Sequence, residues 1–264
     1  MKKYLTVFRL EVKRKLEYRF NFFLEQLRAL IVFILLYSVW TNLTTSNRLF
    51  AGYSQIELVT YVVGVTLLYS LMFSQQTRQV AIEINSGTFS QLIIKPLNYF
   101  WYNFARECAD RILSFFFSLF SLVVLFVLFR YGIFFQTNVE TLALFILASV
   151  LAMFLSCLIS FVVNLIAFWS REASGPRFVL EWIVYFTSGQ FFPLNILTPV
   201  LYGIVVLLPF AYILFVPIQI YLGRLTGIQM WGALAVQIVW IGILALLTRF
   251  VWKKGIAHYS GEGI

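Results

Sequence analysis

The chain has 264 residues, of which 61% are hydrophobic and 12% charged, and it carries a formal net charge of +9. So few charges cannot wet the surface of a soluble domain of this length, which leaves lipid as the solvent. The excess of bases does not point to nucleic acid, because no basic stretch comes with a soluble fold to present it. In membrane proteins Lys and Arg gather on the cytoplasmic side.

Apolar runs of about 20 residues, enough helix to cross a bilayer core, recur along the chain. They are continuous and lack the alternation of a β-barrel strand. The expected class is an all-α polytopic membrane protein. Residues 1–20 are rich in bases, with no apolar core or small-residue cleavage site of a signal peptide. Leu5, Phe8, Val12 and Leu16 fall on one helical stripe, with Lys13, Arg14 and Arg19 largely off it. This predicts an amphipathic helix in the headgroup layer, with a solvated charged leader as the alternative.

The first span is expected over Phe22 to Leu43, with Glu25 and Arg28 spaced to pair. Further spans are expected over Ile56 to Phe73, Ile112 to Phe129 and Thr141 to Trp169. A fifth begins near Phe178, after the breaker Ser174-Gly175-Pro176, and the last covers Met230 to Trp252. The segment 192–222 is apolar but interrupted by Pro193, Pro199, Pro209 and Pro217. If it is re-entrant, all of the 20 bases except Arg48, Arg130 and Arg224 lie on the inner side. A seventh crossing would put Arg249, Lys253 and Lys254 outside, so six spans and a re-entrant hairpin are expected, with both termini cytoplasmic. Irregular backbone at membrane depth must be enclosed by protein or line a wet cavity.

The long loop 75–103 reads as a polar helix to Asn85, a stop at Gly87, and a short helix from Phe89 to Ile94 ended by Lys95-Pro96. Thr88 and Gln91 have capping-box spacing. Phe89, Leu92, Ile93 and Ile94 have little soluble mass of this chain to cover them. They form either a docking surface for a partner or a face that dips into the lipid interface.

Three motifs carry a resemblance. The run Glu83-Ile84-Asn85-Ser86-Gly87-Thr88-Phe89-Ser90-Gln91-Leu92-Ile93-Ile94-Lys95-Pro96 resembles the coupling-helix element of type-2 ATP-binding-cassette transporter permeases. Ser188-Gly189, Pro193-Leu194, Leu197, Pro199 and Leu208-Pro209 resemble that family's sequence before its re-entrant helices, departing at Gln190 and Phe191, where small residues are common. The tail from Trp252 to Gly261, with Gly255-x-x-x-Tyr259, is similar to the basic tail of one branch whose members often pair with a related permease. The resemblance implies a single permease domain over 1–264, with an interfacial elbow at 1–20, a coupling loop at 75–103 and a hairpin at 192–222. It implies the permease subunit of an ATP-driven exporter in a bacterial-type inner membrane. Its partners would be ABC ATPase subunits, a second permease copy or relative, and membrane lipid. Glu83, Gly87, Thr88, Leu92, Lys95 and Pro96 would be the coupling positions.

The chain has no G-x-x-x-x-G-K-[ST] run, so ATP and Mg are expected on the partner, with no cofactor of its own. Its one histidine, His258, lies in the tail, which excludes a His-based metal or triad site. Cys108 and Cys157 are not expected to pair. Glu107 and Asp110 are expected to flank a span. Glu181 is an acid within the fifth span, with a path role or pairing to Arg177 as its two readings, and Asn164 is expected to bond across helices. The aromatic residues are expected to face lipid or its interface. The competing functions are an ATPase-independent secondary transporter or channel-like protein, and a membrane enzyme. The first would need ionisable groups deep in the spans and the second a polar cluster.

Overall fold

The computed structural model describes residues 2–17, 19–44, 49–129, 132–170 and 174–259. Arg48, Arg130 and Arg171, which enter the charge count above, lie outside the described residues, as do Ser260 and Gly261. Among the described residues the fold is helical throughout: α1 (Lys2–Glu17), α2 (Arg19–Leu43), α3 (Gln55–Met72), α4 (Arg78–Asn85), α5 (Phe89–Ile93), α6 (Tyr99–Phe129), α7 (Val139–Asn164), α8 (Ser174–Thr187), α9 (Pro199–Leu207), α10 (Phe215–Tyr221) and α11 (Ile228–His258). Among the described residues, five stretches are long and apolar enough to cross a membrane: Phe23–Leu43, Gln55–Met72, Tyr99–Val127, Val139–Phe168 and Ile228–His258.

The remaining span expected from the sequence is α8, with only 14 residues. At 1.5 Å per residue it covers ~21 Å, short of a ~30 Å hydrocarbon core. It starts inside the expected breaker, because Pro176 falls in its first turn, where a proline's missing N–H costs nothing. The expected polar continuation of the second span is also broken. Phe73 is extended, a 3-10 turn spans Gln75–Thr77, and α4 starts afresh.

The helices define two ends. At the near end lie α1, α4, α5, the start of α6 and the C-terminus of α11. At the far end, α3 opens on a capping box between Ser54 and Glu57. Glu57 pairs there with Arg224 at 3.3 Å, and the Arg224 guanidinium lies 3.5 Å over the Tyr53 ring.

Between α8 and α11 the chain folds into two short limbs, α9 and α10, joined by a 3-10 turn at Pro209–Tyr212. Each proline-broken piece leaves backbone groups that no helix satisfies, and side chains from the long helices supply partners. Tyr61 donates to the Gly189 carbonyl, and Trp40 Nε1 to Phe191 O at 3.3 Å. Gln237, fully buried, donates to Tyr212 O at 3.1 Å and to Ala148 O at 3.0 Å. Gln237 stands about nine residues past Ile228, so the Tyr212 turn is ~14 Å from the far end. The α10 limb then returns outward, where Gln219 bonds Tyr53 and the Tyr221 carbonyl accepts from Gln136 Nε2 at 3.0 Å.

Gln237→Leu would strand the Tyr212 carbonyl and remove the bond that ties α11 to α7 at Ala148 O. Its unfolding temperature in detergent should fall by the equivalent of about 2 kcal/mol, and cysteines placed near Tyr212 should become easier to label. An unchanged melt would mean the turn does not depend on this donor.

Candidate functional site

The near end concentrates the chain's charge in pairs. Glu83 on α4 accepts from Tyr99 Oη and from Arg106 Nη1, both at 2.6 Å. Arg106 also approaches Glu11 at 3.9 Å and donates to Asn103 Oδ1 at 3.3 Å. Glu11 is the buried residue of α1 and pairs with Arg14, which reaches on to Gln76. One turn along, Lys15 pairs with Asp110, which also accepts from Ser74 Oγ at 2.6 Å. Burial lowers the Lys15 pKa from the ordinary lysine value, and Glu25 and Glu11 oppose that shift. Farther along α6, Arg111 is fully buried and bonds Glu107 at 2.9 Å and Ser156 at 3.1 Å.

These contacts correct several expectations. Glu25 lies 3.7 Å from Lys15, and no salt bridge joins it to Arg28 among the described residues. Glu107 and Asp110, expected to flank a span, lie within the long apolar stretch of α6, where they are buried and paired. α1 turns Glu11 and Lys15 onto α6, while Lys2, Lys3, Arg9 and Lys13 stay exposed, as do Leu5 and Leu16 of its apolar stripe. Sequence pattern recognises the stripe, but pairing across distant elements leaves no periodic signal.

The loop segment is built on this belt. Gly87 takes a left-handed φ of +75° and stops α4. The expected capping box at Thr88 does not form: Thr88 is helical in φ and ψ, and its hydroxyl turns back to the Glu83 carbonyl at 3.4 Å. With Gly87 already turning the chain, Thr88 sits at the start of α5, and its side chain caps no backbone N–H. Phe89 is fully buried, contrary to expectation. Its ring meets Tyr99 at 4.9 Å, Phe168 at 5.4 Å, Trp252 at 5.8 Å and Tyr259 at 5.1 Å between centroids. These aromatics form a core at the near end and do not face lipid. Leu92 packs partly against the same cluster. The exposed apolar residues are Ile94 at 84%, Ile82 at 53% and Ile93 at 42%. Lys95 and Pro96 are exposed, and the Pro96 carbonyl accepts from Lys3 Nζ at 3.2 Å.

Two of the cavities beside α3 carry charged and polar lining, while a larger one of about 490 Å³ is apolar. One of the two, of about 120 Å³, lies between α2, α3 and α6, lined by Glu25, Arg28, Tyr69, Asp110, Ser118 and Gln190 among others. The other, of about 60 Å³, brings together Asn164, Glu181, Arg78 and Arg177. Glu181 is held by Arg177 and Arg78, each at 3.3 Å. Asn164 is buried, but its amide donates to Ser160 O of its own helix at 2.7 Å, not across helices as expected. Both cysteines are free. Among the described residues no cluster of three His, Cys, Asp or Glu could hold a metal.

A family model described as ABC-2 family transporter protein matches residues 23–263. The chain belongs to the ABC-2 transporter family. It is therefore a multi-pass membrane permease and a transport component, not itself catalytic. Permeases of this family generally work with ABC ATPase subunits. No curated protein and no solved structure matches the chain.

The Lys15–Asp110 pair sets a stability test. Lys15→Met takes the Lys15 charge away from the buried Asp110 carboxylate and should cost about 3 kcal/mol in a thermal melt. Adding Asp110→Leu should recover much of that loss. A single variant as stable as the parent would show that the pair does not hold α1 in place.

Proposed function

We propose that this permease is the membrane half of an ATP-driven exporter, with its near end cytoplasmic and residues 83–96 forming the seat of a separate ATPase. The observation that carries this reading is the two-sided build of the 83–96 segment. Its inner side is fastened by Glu83 to Arg106 and by Phe89 to the aromatic cluster. Its outer side leaves Ile93 and Ile94 bare at an end crowded with bases. A rigidly mounted, exposed apolar ridge suits docking of a protein partner. The positive-inside rule supports a cytoplasmic near end.

Six crossings follow if α8 completes a span together with the chain around it. The α9–α10 limbs are then a re-entrant hairpin that dips from the far side to near mid-depth. α1 is the interfacial elbow, its exposed Leu5 and Leu16 turned toward lipid. α2 and α9 remain largely uncovered, which suits lipid and a second permease chain. The two cavities beside α3 with charged and polar lining, containing Glu181 and Asn164 in one and Arg28 in the other, are the candidate path lining. ATP and Mg would be bound by the partner, whose closure would press on the seat. A secondary transporter would need an ion-coupling charge at depth, but Glu107 and Glu181 are each neutralised by arginine.

Ile94→Asp should reduce co-purification of the ATPase at least about tenfold without lowering the unfolding temperature, since the side chain is exposed. Leu92→Asp should lower both, because Leu92 packs against the aromatic cluster. ATPase recovery unchanged by Ile94→Asp would remove the seat from this segment.

A further inference from the structure

The last helix is tied to the seat through its terminal residues. Gly255 is buried, and a Cβ there would lie 2.2 Å from Phe168 Cδ2 and 2.7 Å from Cε2. The missing side chain is what lets the Phe168 ring press against α11. One turn later Tyr259 leaves the helix with extended backbone. Its ring packs on Phe89 and, at 5.9 Å between centroids, on Phe168. Its hydroxyl stands 3.0 Å from Ser90 Oγ and 3.4 Å from the Gly87 carbonyl. One side chain thus grips the turn that opens α5 and the first helical turn after it.

Toward α3 the covalent route from the seat into the membrane is softer, whereas on its other side the chain passes within a few residues into α6, itself a continuous helix of 31 residues. Between α4 and α3 the chain passes through the Gln75–Thr77 turn and the extended Phe73. α11, by contrast, is one continuous helix of 31 residues. It runs from the Tyr259 contact to Gln237, which bonds the Tyr212 turn of the hairpin.

We infer that Tyr259 is a positioning residue that clamps residues 87–93 to the end of α11, so that displacement of the seat travels along α11 to the hairpin turn. The clamp stands on the contacts alone, whereas the transmission rests on the proposed ATPase seat.

Hydrogen–deuterium exchange on the full chain in lipid nanodiscs tests both parts. Tyr259→Phe keeps the ring and removes the hydroxyl. Amides in 87–93 should exchange roughly fivefold faster, matching a lost bond of about 1 kcal/mol, while 55–72 stay unchanged. Adding Ser90→Ala should bring no further increase. Unchanged exchange in 87–93 would overturn the clamp. In the complex with the co-purifying ABC ATPase, trapping with ATP and vanadate should alter exchange at 205–214 in the parent chain. Tyr259→Phe should bind the ATPase equally and lose that response, which a purely stabilising side chain would not cause. A response of full size in Tyr259→Phe would overturn the transmission. A parent chain that binds no ATPase would count against the proposed seat, and the exchange of 87–93 would still decide the clamp.

Discussion

A buried charge is tolerated only beside its opposite, and at the near end of this permease Arg106 is where that rule binds several elements together. It lies on α6, bonds Glu83 on α4 and approaches Glu11 on α1. Each of those carboxylates would be costly to bury without it. α1, α4 and α6 are therefore tied to one another by electrostatics, and α4 also buries Val80 and Ile84 in the apolar cluster that holds Tyr99 of α6. The aromatic cluster around Phe89 then closes over the frame and sets the orientation of α5. The exposed isoleucines beyond it are a consequence: with Phe89 turned inward, Ile93 and Ile94 have nowhere left to pack.

The far half answers a different demand. The prolines that break 192–222 create backbone carbonyls without helical partners, and hydrocarbon offers none. Tyr61, Trp40 and Gln237 supply donors from neighbouring helices. Gln237 is the deepest of these, and it joins the hairpin turn to both α7 and α11. α11 takes part in both networks, through Gln237 within the helix and through Gly255 and Tyr259 at its C-terminus.

Much of this architecture could be read from the sequence because apolar length is a strong, local signal. The long helices lie where hydropathy puts them, and Gly87 stops its helix as its residue type suggests. The failures share a cause. Thr88 and Gln91 had the spacing of a capping box, but spacing does not report φ and ψ, and Gly87 had already made the turn. Phe89 was counted with its apolar neighbours, although only a fold that brings Trp252 and Tyr259 beside it could show it buried. Glu25 was matched to the near arginine in sequence, while its partner Lys15 sits on another helix. The Gly255-x-x-x-Tyr259 pattern was visible as a resemblance. Its physical reason, a glycine that admits Phe168 and a tyrosine that reaches Ser90, needed the structure.

The central claim is that an exposed ridge at Ile94, mounted on a buried anchor at Phe89, meets an ATPase. Photo-crosslinking from a benzoylphenylalanine at either position measures this directly in native membranes. The account predicts an adduct of permease plus ATPase from position 94. From position 89 it predicts crosslinks within the chain only. Adducts to the ATPase from 89 but not from 94, or from neither, would contradict it.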